Sequence, residues 1–236
     1  MRIAVLLAAS VLVAGCSKIP AAQPGPTELT PITPSRTAAA PTTTPSTPRS
    51  SATPATSSPS ASAPAAGEPV GAAIDWVEAG PPVDDADFRV ALRGGTSTPL
   101  GDDTAFTTPS GTSCMTDGKR VAGGLACLVN LVNPPPQPPD VYGAWKGGWV
   151  DFDGSSVRIG SAHGDPGRFA AGQGAPLPSG GSVSFGDFRC RTDTTTLVCV
   201  NYARKSGVRY SDDEIDTYGC TRQSPAPAGI GEQYSC

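Results

Sequence analysis

The chain lacks most of the residues and motifs with which enzymes work. It has a single histidine, His163, and no Cys-x-x-Cys pair, which leaves too few nitrogen and sulfur ligands for a zinc site. It has no Gly-x-Ser-x-Gly elbow and no glycine-rich phosphate loop leading into a helix, so two common catalytic and nucleotide-binding signatures are missing. These absences predict a protein without metal or cofactor that is not an enzyme.

Dense basic runs are also lacking. No stretch holds more than two adjacent basic residues, and residues 71–236 carry 13 basic and 19 acidic side chains, a net charge of −6. Binding to nucleic acid depends on a basic surface that neutralises phosphates. The charge balance therefore predicts that nucleic acid is not a partner.

Long apolar runs are missing except near the N-terminus, where one extends from Ile3 to Val13 behind Arg2. This run is about half the roughly 20 residues that span a bilayer, and its pattern is typical of a secretory signal. The residues Val13-Ala14-Gly15-Cys16 resemble the lipobox of bacterial lipoproteins. The resemblance implies that residues 1–15 are a signal peptide and that Cys16 carries diacylglycerol, which anchors the chain in the cell membrane on its extracytoplasmic side. An ordinary signal peptide with an incidental cysteine is the alternative.

Aromatic side chains are absent from residues 17–69, where Pro, Thr, Ser and Ala dominate. Such a segment buries too little apolar surface to offset the entropy of ordering it. Residues 16–70 are therefore expected to comprise the lipidated cysteine and a disordered linker. Large apolar residues return at Ile74 and Trp76, and residues 71–236 are long enough for one domain.

The cysteine count agrees with an exported domain. Setting Cys16 aside leaves six cysteines, an even number that predicts disulfides outside the cytoplasm. Six cysteines allow fifteen pairings, of which pairing between sequence neighbours is the simplest. The simplest set is Cys114 with Cys127, Cys190 with Cys199, and Cys220 with Cys236.

Strand signals are short and are separated by Gly, Pro, Asp and Asn, as in all-β folds. Asp153-Gly154 between strand formers predicts a two-residue type I′ hairpin. A second hairpin centred on Thr194-Thr195 places Cys190 opposite Cys199, close enough for a disulfide.

A third hairpin pairs residues 113–115 with residues 125–132. No segment repeats its apolar residues at helical spacing over three turns, although a short helix is expected near Ser211–Asp216. The predicted fold is a disulfide-bonded all-β sandwich or a partly open barrel of antiparallel hairpins.

The last 50 or so residues carry a resemblance to a known group. The runs Phe188-Arg189-Cys190, Leu197-Val198-Cys199-Val200-Asn201 and Tyr218-Gly219-Cys220 resemble the LppI-type lipoproteins of mycobacteria. The resemblance implies an actinobacterial cell envelope and supports the Cys190–Cys199 bridge. It implies no catalytic residues.

The densest basic group is the candidate ligand site. A phosphate- or carboxylate-bearing envelope lipid or glycan, or a protein partner, is the expected ligand of such a patch. The alternative is pairing with the domain's own excess of acids. The candidate patch comprises Arg189, Arg191, Arg204, Lys205 and Arg209.

Two further features leave a catalytic alternative open. His163 lies close to serine and aspartate in the sequence, and Asp102-Asp103 could supply paired carboxylates. A surface-loop histidine and solvated loop charges are the preferred interpretations. We therefore expect a non-enzymatic, surface-tethered binding domain. The alternatives are an extracellular hydrolase of envelope esters or glycans and a structural envelope component.

Overall fold

The computed structural model describes residues 62–118, 123–163 and 167–236. Within them one α-helix, α1, spans Val70–Glu78, and 3₁₀-helices span Asp85–Phe88 and Gly167–Ala171. The strands in chain order are β1 Val90–Arg93, β2 Thr96–Pro99, β3 Ala105–Thr107, β4 Ser113–Thr116, β5 Leu125–Leu128, β6 Trp145–Phe152, β7 Ser156–Ala162, β8 Ala175–Pro176, β9 Ser182–Phe185, β10 Phe188–Thr192, β11 Leu197–Asn201, β12 Ser206–Tyr210, β13 Ile215–Tyr218, β14 Arg222–Ser224 and β15 Ile230–Ser235.

The first sheet contains five antiparallel strands in the order β13-β12-β11-β10-β9. The turn between β10 and β11 is fixed by Asp193, whose carboxylate accepts the N–H groups of Thr195 and Thr196 at 2.9 and 2.7 Å. This turn sets the register that places Cys190 opposite Cys199, with 4.0 Å between their Cα atoms, and the two cysteines form a disulfide. The predicted register is confirmed.

The second sheet contains eight strands in the order β14-β15-β7-β6-β5-β4-β3-β8, and β8 runs parallel to β3 while the other pairs are antiparallel. Cys114 lies opposite Cys127 on β4 and β5 and is bonded to it. The bond between Cys220 and Cys236 links the chain just after β13 to the chain just after β15, so it joins the two sheets. All three disulfides connect the pairs that the sequence predicted. β1 and β2 form a separate two-stranded sheet.

The turn between β6 and β7 lies one residue later than predicted. Gly154 has a φ of +87°, but Asp153 does not have the positive φ expected of a type I′ turn. The Asp153 carboxylate accepts the N–H groups of Ser155 and Ser156 at 2.8 and 2.7 Å. These side-chain hydrogen bonds stabilise the turn in its shifted position.

The two sheets pack face to face around one main apolar core. Neither sheet closes into a barrel, so the predicted all-β class and disulfide-bonded sandwich are confirmed. The core contains all four cysteines of the two hairpin disulfides. Its large side chains come from both sheets and include Phe106, Leu125, Val150, Phe152, Val157, Val183, Phe188, Leu197, Val208 and Tyr210.

Helix α1 covers the outer face of the five-stranded sheet, where Trp76 and Val77 pack against Val198 and Val200. The sequence did not predict this helix, because nine residues are too few to show a sustained period. Helices this short depend on tertiary packing for their stability.

Packing begins before the predicted boundary at residue 71. The side chain of Ala63 packs against the cluster beneath α1, and the Tyr218 hydroxyl donates a hydrogen bond of 2.7 Å to the Pro64 carbonyl. The last residues of the predicted linker are therefore part of the folded domain.

The prediction of a short helix near Ser211–Asp216 is wrong. The Ser211 hydroxyl donates to the Glu214 carbonyl at 2.9 Å and accepts the Glu214 N–H at 3.2 Å, which closes a tight turn. Strand β13 then begins at Ile215. The serine caps as expected, but β-pairing with β12 begins too soon for a helix to form.

Candidate functional site

The predicted lipid attachment site lies outside the described residues. Cys16, the signal peptide of residues 1–15 and the linker up to residue 61 stay predictions of the sequence.

The predicted basic patch is not one exposed surface. Arg191 is only 5% exposed and lies beneath α1, where its Nη1 donates to the Trp76 carbonyl at 2.7 Å. Its guanidinium also lies 4.4 Å from the centroid of the Trp76 ring, a cation–π contact. Arg189, on the same face of β10, donates to the Gly80 carbonyl at 2.9 Å. Both arginines therefore hold the chain of α1 against the sheet.

The other three basic residues lie in different surroundings. Arg209 contacts Asp216 at 2.6 Å and Glu214 at 3.4 Å. For this residue the alternative interpretation, pairing with the domain's own acids, is therefore correct. Arg204 and Lys205 are exposed at the turn between β11 and β12. Sequence alone could not separate these cases, because strand alternation does not show which face another element covers.

A cavity of about 600 Å³ lies where turns of the two sheets come together. The Ser206 hydroxyl connects these turns by donating to the Gly154 carbonyl at 2.5 Å. Gly154 lies so close to Asn201 that an added Cβ would be 2.8 Å from its side chain. The described lining residues are Asp102, Asp103, Thr116, Gly118, Gly123, Asp153, Phe185, Gly186, Asp187, Phe188, Asn201, Ala203 and Arg204.

The described residues contribute four carboxylates to this cavity, and two of them maintain its walls. Asp103 accepts hydrogen bonds from the Thr116 hydroxyl and the Gly118 N–H, both at 2.8 Å. Asp153 holds the turn between β6 and β7 and also accepts the Ser156 hydroxyl at 2.8 Å. These two aspartates position the surrounding loops.

Among the described lining residues, the carboxylates of Asp102 and Asp187 and the guanidinium of Arg204 are available to a ligand. Among the described residues, none donates a hydrogen bond to the carboxylate of Asp102 or Asp187, and none accepts one from the Arg204 guanidinium. All three residues are exposed. The cavity, which is open to solvent, thus offers hydrogen-bond acceptors and a donor along one wall-lined depression.

The cavity also has an aromatic wall. Phe185 is half-buried and stacks on Phe188, with centroids 5.5 Å apart and an interplanar angle of 14°. Phe188 in turn meets Phe152 edge-on at 5.4 Å. The packed core therefore fixes the ring that faces the cavity.

His163 does not form a serine–histidine pair within the described residues. Its ring stacks on Trp149 with centroids 3.6 Å apart, and burial lowers its pKa, with Asp151 acting in the opposite direction. Its Nε2 and the Ser161 hydroxyl are both buried without a hydrogen-bond partner among these residues. Asp165 lies outside the described residues, so the predicted acid near His163 stays untested.

No three His, Cys, Asp or Glu side chains in the described ranges are grouped so that they could hold a metal ion. No helix within them is long and apolar enough to cross a bilayer.

Comparisons of the chain with models of known protein families, with curated proteins and with solved structures found no match.

Sequence reasoning missed the cavity. It interpreted Asp102 and Asp103 as solvated loop charges and did not consider Asp187. A partial signal was present, because Asp153-Gly154 and Gly186-Asp187 are both turn-forming dipeptides between strand segments. Only the strand order shows that these turns meet.

Proposed function

We propose that this chain is an exported, lipid-anchored protein whose β-domain binds a glycan of the cell envelope. The observation that carries the proposal is the cavity of about 600 Å³, whose lining includes Asp102, Asp187, Arg204 and Phe185. Its volume lies within the range of about 300–1,000 Å³ that is usual for small-molecule sites.

The lining chemistry favours a polyhydroxylated ligand. Carboxylates accept hydrogen bonds from hydroxyl groups, and such charge-assisted bonds are short and strong. Arg204 can donate to ring or glycosidic oxygens, and the ring of Phe185 can pack against the apolar face of a sugar. A lipid tail would leave the carboxylates unpaired, and a strongly anionic ligand would be repelled by them.

The proposed location is supported by the lipobox at Cys16 and by the three disulfides, which persist in oxidising compartments outside the cytoplasm. The resemblance to LppI-type lipoproteins supports the same address. In this proposal the lipid on Cys16 is the contact with the membrane, and the cavity contacts envelope components.

Glycoside hydrolysis is the second candidate, because the cavity gathers four carboxylates. Hydrolysis by this route needs one acid and one base on opposite sides of the scissile bond. Binding is preferred because Asp103 and Asp153 already hold loops in place through hydrogen bonds.

One experiment tests both candidates. Oligosaccharides released from actinobacterial cell walls are mixed with the full exported chain, and binding is followed by saturation-transfer NMR while the sugars are analysed by mass spectrometry. Asp187→Asn and Asp102→Asn should each weaken binding by about tenfold, since hydrogen bonds to charged groups contribute about 1.5–3 kcal/mol. Asp75→Asn, on the exposed face of α1, is the control.

Intact sugars bound by the wild-type chain and lost in the Asp187 variant would support the binding function. Shortened sugars whose appearance depends on Asp102 and Asp187 would establish the hydrolase instead. No binding of any released sugar, or equal binding by all variants, would overturn the proposal.

A further inference from the structure

A proline-rich segment, Pro134–Pro139, crosses the surface between β5 and β6. Its sequence is Pro-Pro-Pro-Gln-Pro-Pro, and proline fixes φ near −65° and restricts the residue before it to extended conformations. These restrictions favour the polyproline II helix, which has three residues per turn.

The burial of this segment follows that three-residue period. Pro135 is buried and Pro138 is half-buried, whereas Pro134, Pro136, Gln137 and Pro139 are exposed. The buried and half-buried positions are three residues apart, so one edge of the segment lies on the domain, and the segment ends in a turn in which the Val141 N–H donates to the Pro138 carbonyl at 3.1 Å. The Pro136–Pro139 pair, also three residues apart, forms an edge that faces solvent.

The domain holds this segment in place from below. The indole Nε1 of Trp145 donates to the Pro135 carbonyl at 3.0 Å. Two glycines lie directly against the prolines. A Cβ added at Gly147 would lie 2.6 Å from Pro134, and a Cβ added at Gly231 would lie 2.7 Å from Pro135. The domain therefore holds the segment in one position, with its other edge facing solvent.

Large exposed apolar side chains flank the segment in the sequence at both ends. Val132 precedes the segment and is 67% exposed, and Tyr142 follows it and is 90% exposed. Exposed apolar side chains grouped in this way are typical of interaction surfaces. We call Val132, Pro136, Pro139 and Tyr142 the proline ridge.

Acidic residues lie beside the buried edge of the segment and near its Val132 end, and we call them the acidic rim. The Val132 N–H donates to the Asp212 carbonyl at 2.8 Å, which ties the ridge to the turn after β12. A neighbouring cavity of about 250 Å³ includes Pro135 in its wall. The acidic residues lining that cavity are Asp213, Glu214, Asp216 and Glu232, and Arg209 pairs with two of them.

We propose that the proline ridge docks a protein partner that has an aromatic-lined groove with a basic rim. Grooves of this kind bind pairs of prolines three residues apart, because the preformed helix loses little entropy on binding. The acidic rim selects the charge of the partner, since opposite charges around a groove steer association. This surface is separate from the Asp187 cavity and does not depend on the function proposed for it.

The test uses a panel of purified SH3 and WW domains as probes of this groove chemistry, some with basic and some with acidic rims. Each is titrated against the full exported chain in detergent by isothermal calorimetry. Binding in the micromolar range by basic-rimmed domains is expected, with losses on the order of tenfold in Pro136→Ala, Pro139→Ala and Tyr142→Ala. Pro109→Ala is the matched control, an exposed proline in a loop between β3 and β4.

Salt adds a second readout. Binding is measured at about 0.05 M and at about 0.5 M salt, because the higher concentration screens charges on the protein surface. The increase should weaken binding of the basic-rimmed domains more than binding of the acidic-rimmed domains. The proposal is overturned if no panel domain binds, or if the ridge variants bind as tightly as Pro109→Ala.

Discussion

Replacement of Arg191 by alanine should loosen the whole N-terminal part of the domain. Arg191 is a buried residue between β10 and α1, and its guanidinium donates to the Trp76 carbonyl at 2.7 Å while stacking on the Trp76 ring. A hydrogen bond involving a charged group contributes about 1.5–3 kcal/mol, and a partly desolvated cation–π contact contributes about 1 kcal/mol. The expected loss in the free energy of unfolding is therefore about 3 kcal/mol.

The assays are urea unfolding and thermal melting, both followed by circular dichroism and by tryptophan fluorescence. A loss of about 3 kcal/mol corresponds to a fall in Tm of about 6–12 °C for a domain of this size. Arg158→Ala is the control, because Arg158 is exposed and, among the described residues, its side chain has one hydrogen bond, to the Gln233 side chain at 3.1 Å. Its loss should stay below about 1 kcal/mol.

A double-mutant cycle separates the two contacts of Arg191. Trp76→Leu removes the ring but keeps the backbone carbonyl, so the coupling between the two substitutions reports the cation–π contact alone. If Arg191→Ala is no more harmful than Arg158→Ala, then the arginine does not hold α1 on the sheet and this account of the interface is wrong.

Three shorter predictions concern other parts of the chain. Burial lowers the pKa of His163, so this side chain binds a proton more readily in the unfolded state than in the folded state. The free energy of unfolding should therefore fall as the pH drops below about 6.5. His163→Gln should remove that part of the pH dependence when unfolding in urea is measured at several pH values. Gly148→Ala should destabilise strongly in thermal melts, because its Cβ would lie 2.0 Å from the Val129 carbonyl oxygen, whereas Gly71→Ala in α1 has open space and should stabilise by about 0.5 kcal/mol. Labelled fatty acid should enter the wild-type chain in cells and not Cys16→Ala; incorporation into that variant would disprove the anchor.

The hairpins were predictable because their determinants are local. Asp193 and the threonines after it fix a tight turn, and the side-chain period of two then leaves Cys199 opposite Cys190. The same logic gave the fold class and the Cys114–Cys127 pair, whereas Cys220–Cys236 was predicted only as a pair of sequence neighbours.

Helix α1 and the burial of Arg191 beneath it were not predictable, because both depend on contacts between residues far apart in the sequence. Trp76 and Arg191 are 115 positions apart in the chain, and neither residue's neighbours indicate the contact. The cavity shares this difficulty, since Asp102 and Asp187 come from different loops. The residue types show which hydrogen bonds the cavity could form with a ligand. That these residues line one cavity follows only from the packing of the two sheets.

The attachment of α1 has a mechanical consequence. Any load applied to the chain before residue 62 reaches the sandwich through the segment from Ala63 to Gly80. That segment is held by the Tyr218 hydrogen bond and by Arg189 and Arg191, and it contains none of the disulfide-bonded cysteines. Under tension it should peel from the sheet first and lengthen the connection, while the covalently cross-linked strands behind it keep the cavity and the proline ridge intact.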